Sequence, residues 1–98
     1  MSVGIVYLIH FDKALGKQTP HGHAQHYIGF VKNGESIEAR MKIHRSGRGA
    51  KIMKAVVLRG IDFKIVHLWT SVDRSFERQL KKRKNASRYC PICKRRRK

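Results

Sequence analysis

"HYIGF", residues 26–30, reads as a short strand that carries a tyrosine. It follows a polar loop, "GKQTPHGHAQ" at 16–25, and is ended by "KNG" at 32–34, a strong turn signal. A run near the N-terminus, "VGIVYLIHF" at 3–11, alternates like a second strand. Val3, Ile5, Tyr7, Ile9 and Phe11 share one face of it, and Val6 and Leu8 make the other face apolar. A strand apolar on both sides is expected to be covered on both sides. Two neighbouring strands therefore carry one phenol each, Tyr7 and Tyr27.

Beyond the turn, Ser36 has the place of a helix N-cap, with Glu38 in the first turn where the helix dipole favours an acid. That helix is expected to run to about Arg45, where "RSGRG" breaks it. Ile52, Met53, Val56 and Val57 have the spacing of a second amphipathic helix, ended by Gly60. Ile61 to Trp69 reads as a third strand, with Ile61, Phe63, Ile65, His67 and Trp69 on one face. "TSVD" at 70–73 fits a Ser/Thr-x-x-acid helix start, and Val72, Phe76 and Leu80 form the stripe of a last helix running toward Asn85. "ASRYCPICKRRRK" has no periodicity, and no segment of the chain repeats another. The expectation is an α+β domain over 1–85, a small, mostly antiparallel three-stranded sheet flanked by helices, with a basic Cys-containing tail over 86–98.

Composition bounds the partners. A chain of 98 residues, 41% of them hydrophobic, is one folded domain. Its net charge of +17 comes from 23 Lys and Arg against 6 Asp and Glu, which attracts polyanions. Nucleic acid is the first such partner and an anionic membrane surface the weaker rival. No segment approaches the length of a membrane span, and the apolar N-terminal run lacks the basic leader and cleavage site of a signal peptide. Two cysteines in one "CPIC" make no disulfide framework. These features point to a cytoplasmic or nuclear protein, nucleoid-associated in a prokaryote.

Few side chains are suited to chemistry. Arg40 and His44 lie one turn apart on one helix face. Alone, Arg40 reads equally well as a stem lying along apolar surface, and His44 as a cation facing the helix end. Glu77 is an isolated acid among Arg74, Arg78, Lys81 and Lys82. Alone, it reads as an i,i+4 partner of Lys81, a contact that contributes about 0.2–0.5 kcal/mol. It also borders Phe76 and Leu80, where a carboxylate is placed to hold a hard divalent cation. A strand tyrosine alone reads as core with its hydroxyl at the rim. A phenol with a pKa of about 10 is a poor base at neutral pH unless nearby cations lower it, as an arginine and a metal-bound phosphate would.

Together these residues resemble a known family. Tyr7 in "IVYLI", "YIG" at Tyr27-Ile28-Gly29, Arg40 with His44 as R-x-x-x-H, and Glu77 in "FERQLKKRKN" follow the order of the GIY-YIG nucleases. The resemblance covers Val3 to about Asn85. Three departures stand out. The first motif reads Ile5-Val6-Tyr7 with Gly4 one residue early, the loop between the tyrosines is long and holds His21 and His23 ahead of His26, and Phe30 follows Gly29. The resemblance implies that Tyr7 or Tyr27, or a hydrogen-bonded relay, helps deprotonate the attacking water. It implies that Arg40 stabilises charge on the phosphate and that Glu77 binds one Mg2+ (or Mn2+). His44 becomes an auxiliary proton relay or phosphate contact, Asn85 a polar position near the site, and Gly29 a position that keeps the backbone open beside the second tyrosine. The implied activity is metal-dependent endonucleolytic hydrolysis of DNA phosphodiesters, by a protein acting alone, through a protein partner or as a transient dimer. The alternative is a catalytically inactive, basic nucleic-acid-binding module.

For binding, Arg45, Arg48 and Lys51 sit on a glycine-rich turn before a helix, and Arg74, Arg78 and Lys81 line the last helix, suited to backbone phosphate and to steep salt dependence. Cys90 and Cys93 have the knuckle spacing of half a zinc site. His21 with His23, or His10 with His26, would complete it only if the tail folds back. With no second Cys pair, the expectation from sequence is a reduced, metal-free turn.

Overall fold

The strand β1, Gly4–Phe11, is the middle strand of the sheet and is buried along almost its whole length. The computed structural model describes residues 3–13, 25–83 and 89–92. Within them follow β2 (His26–Lys32), α1 (Ile37–Arg45), α2 (Lys51–Leu58), β3 (Phe63–Val72) and α3 (Arg74–Arg83). The sheet order is β2-β1-β3, and both pairings are antiparallel. The protein is thus an α+β domain with a three-stranded antiparallel sheet and three helices.

The two apolar faces of β1 organise everything else. Tyr7, Ile9 and Phe11 pack with Val31, Met41, Met53 and Val56, so α1 and α2 cover that face. Val6 and Leu8 pack with Ile28, Leu80 and Cys90, so α3 and the segment 89–92 cover the other. Burial of this kind contributes about 25 cal/mol per Å² of apolar surface, and it is what makes the register binding: a slip by one residue would exchange the two faces.

Local signals set the helix ends. Ser36 caps α1 by accepting from the amide of Ala39 at 3.2 Å. Gly60 ends α2 at φ +67°, with its amide on the Val57 carbonyl and that of Ile61 on Val56, the pattern of a left-handed C-terminal cap.

The third strand departs from its sequence reading. It spans Phe63–Val72, so Thr70, Ser71 and Val72 are strand and "TSVD" does not open the helix. The cap is the acid: Asp73 Oδ1 accepts from the amide of Phe76 at 3.1 Å. Nor does one face persist along β3. Leu8 pairs with His67 but Ile9 with Ile65, so Val66 is an extra residue. This bulge sends Phe63 and Ile65 to the α1/α2 side and Val66, Trp69 and Val72 to the α3 side. Ser71, with φ 56°, is a second extra residue, between the partners of Gly4 and Ile5. Tyr89, Cys90 and Ile92, read from sequence as tail, pack into the second core face, with Tyr89 5.5 Å from Trp69 ring to ring. Asn85, at the expected end of the last helix, lies outside the described residues.

Tyr7 and Gly29 are cross-strand partners, and a Cβ on Gly29 would run into the Tyr7 ring. The glycine of "YIG" thus makes room for the first tyrosine. Gly29→Ala should cost about 1–3 kcal/mol of stability, the usual size of core overpacking. Adding Tyr7→Ala should recover part of that loss in urea unfolding; strictly additive losses would contradict the contact.

Candidate active site

Tyr7 is only 2% exposed, and its Oη lies 2.8 Å from His44 Nε2. The strand holds the phenol by its cross-strand glycine. Helix α1 holds the imidazole by burying Met41 and His44 on its sheet-facing side. The Tyr27 ring is 6.2 Å from that of Tyr7 and meets the His44 ring edge-on at 5.6 Å. Three polar rings thus form one cluster where β1, β2 and α1 meet.

Two charges flank it. Arg40, one turn before His44, donates to Glu35 Oε2 at 3.0 Å, with both side chains well exposed at 35% and 44%. An ion pair this wet contributes at most about 1 kcal/mol, so an arriving phosphate competes for the guanidinium at little cost. Glu77 is more enclosed, 16% exposed, with Lys81 Nζ 3.6 Å from its carboxylate. Lys81 also sits 5.3 Å above the Tyr27 ring. The i,i+4 pairing open to Glu77 from sequence is therefore present. Arg40 and Glu77 are both close enough to act electrostatically on both tyrosines. Tyr7, Tyr27, Arg40, His44 and Glu77 thus share one neighbourhood.

Burial governs the protonation states. It raises Tyr7 well above the usual phenol value, with Tyr27 and Glu77 adding to the rise and Arg40 opposing it. Tyr27 is raised by burial and Glu77, again against Arg40. Arg40 pulls in the direction the sequence suggested, but desolvation outweighs it, so both phenols keep their protons at neutral pH. His44 is pushed below the ordinary imidazole value, first by burial and then by Arg40, and is neutral at pH 7. Its Nδ1 has no hydrogen-bond partner among the described residues. A Cβ on Gly49 would run into that nitrogen, so the glycine-rich turn backs directly onto the histidine, a contact that no sequence spacing announces.

That same turn carries Arg48, and Lys51 opens α2 just beyond it, both exposed. Arg45 lies over the Phe63 ring at 5.1 Å and Arg74 over Phe30 at 5.4 Å, while Arg78 is exposed on α3. A hard cation such as Mg2+ would find one enclosed carboxylate here among the described residues, Glu77, which suits an ion that completes its shell with phosphate oxygens and water. His21, His23, Asn85 and Cys93 lie outside the described residues.

A second polar cluster is separate in its residues. His10 Nδ1 lies 3.3 Å from His26 Nε2 and 3.4 Å from Cys90 Sγ. Burial, with His10 beside it, lowers the pKa of His26 to about 4.

Because folding depresses His44 below its unfolded value of about 6.5, the unfolded chain binds the extra proton first as pH falls. Stability should therefore drop on acidification below about pH 6.5, and His44→Gln should flatten that part of the urea-midpoint profile. Equal slopes in the two proteins would contradict a buried, neutral His44. No family model, curated protein or solved structure matches this chain.

Proposed function

We propose that the protein is a divalent-metal-dependent endonuclease hydrolysing DNA phosphodiester bonds, a centre of the GIY-YIG kind. The observation that supports this reading best is the convergence of two phenols, a neutral histidine, a guanidinium and an enclosed carboxylate. The hydrogen bond between Tyr7 and His44 ties it together.

A phenol with a raised pKa is a poor base when it must lose its proton outright. It is a competent relay when it gives one proton as it receives another. With the His44 proton on Nδ1, Nε2 accepts the Tyr7 hydroxyl, and the Tyr7 oxygen is left with lone pairs for a water molecule. That oxygen takes the water's proton while Tyr7 passes its own to His44 Nε2, and the hydroxide attacks phosphorus in line with the leaving oxygen. Tyr27, protonated for the same reason, donates a hydrogen bond that orients the phosphate or the water. Arg40 turns from Glu35 to the phosphate, where its charge stabilises the pentacovalent arrangement. Glu77 would hold the ion, which supplies Lewis-acid stabilisation of the leaving oxygen when bound. Arg48, Lys51, Arg74, Arg78 and Lys81 position the backbone and carry no sequence information.

The direct test is nicking of supercoiled plasmid with Mg2+. Wild type should cut, and Glu77→Gln and Arg40→Ala should each slow cutting by about 10²–10³-fold while still binding DNA. Tyr7→Phe should abolish the relay with the fold intact. Tight binding without any cutting by wild type would instead assign the protein as a silent nucleic-acid-binding module.

A further inference from the structure

His10, His26 and Cys90 come from three distant parts of the chain, 16 and 80 residues apart. His10 and His26 are cross-strand partners where β1 and β2 run out into the intervening loop. Cys90 arrives from beyond α3 and is wholly buried, as is His10 at 1% exposure. One ligand atom from each lies within 4.8 Å of the other two.

Two of the separations are informative. Two nitrogens bound to zinc at tetrahedral angles stand about 3.3–3.4 Å apart, and a nitrogen and a sulfur about 3.6 Å. The observed values are 3.3 Å for His10 Nδ1 to His26 Nε2 and 3.4 Å for Cys90 Sγ to His10 Nδ1. His10 Nδ1 is approached by both partners, yet an imidazole nitrogen offers a single in-plane site, either a proton or a lone pair. Hydrogen bonding alone cannot serve both contacts well. One cation at the common centre serves all three donors at once.

The geometry points to a structural zinc site built from His10, His26 and Cys90, which fastens the C-terminal segment to the sheet. The donor set selects the ion. Two imidazoles and a thiolate suit zinc and disfavour Mg2+ and Ca2+, which take oxygen ligands. Zinc takes a fourth ligand to complete its tetrahedron. The site shares no residue with the candidate active site, and it does not depend on the proposed nuclease function. Its role is mechanical. Tyr89, Cys90 and Ile92 pack the segment onto the core face, and an ion shared by Cys90 and the two strand histidines adds a cross-link to that packing.

The test is metal analysis of the full chain, made without a metal-affinity tag in medium containing zinc. About one zinc per chain is expected, falling to near zero in Cys90→Ser and in His26→Gln. Removing zinc with a chelator should lower the thermal midpoint by about 10 °C or more, since each lost kcal/mol is worth about 4–8 °C in a domain of this size. If the variants fold poorly, Co2+ added to metal-free wild type should give tetrahedral visible bands together with a thiolate-to-cobalt charge-transfer band. A zinc content near zero, zinc that survives both ligand substitutions, or a cobalt spectrum without thiolate character would overturn the assignment.

Discussion

The antiparallel register that sets Tyr7 opposite Gly29 governs both faces of the core and both polar clusters. Because Gly29 has no side chain, the Tyr7 ring lies across β2 and its hydroxyl reaches His44. Because Tyr7 takes that direction, Ile9 and Phe11 follow on the same side and bury α1 and α2, while Val6 and Leu8 are turned to α3. The same register brings His10 against His26 at the far end of the strand pair. Both polar clusters and both halves of the core are thus consequences of a single strand pairing.

The electrostatics of the candidate site are a contest between burial and charge, and burial wins. Arg40 favours phenolate on both tyrosines, but enclosure by strands and helix raises them, and Glu77 works against the arginine. The result is a site of neutral rings beside one cation and one anion. On the proposed reading this suits proton relay better than standing deprotonation, since His44 is held neutral and ready to accept. In a chain of net charge +17, the enclosed carboxylate of Glu77 has Lys81 beside it, one turn along the same helix.

Much of this was legible in sequence. The element order follows from period and punctuation: Ser36 caps α1, Gly60 ends α2, and the double-sided apolarity of 4–11 marks a central strand. The unread part concerns relations between segments. The extra residues Val66 and Ser71 are properties of the pairing between β1 and β3, and alternation within β3 alone could not disclose them. Tyr7, Tyr27, Arg40, His44 and Glu77 could be named from motif order. The approach of Gly49 to His44, the pull of Glu35 on Arg40, and the balance that leaves the phenols protonated needed coordinates. "CPIC" announced ligand chemistry, but the burial of Cys90 beside two strand histidines came only with the fold.

If Glu77 holds a divalent ion beside the two phenols, as proposed, titrating isotopically labelled protein with Mn2+ will show it through paramagnetic broadening of amide signals. Broadening should centre on Tyr7, Tyr27 and the Glu77–Lys81 turn, and Glu77→Gln should abolish it. Broadening centred elsewhere, or unchanged by that substitution, would contradict it.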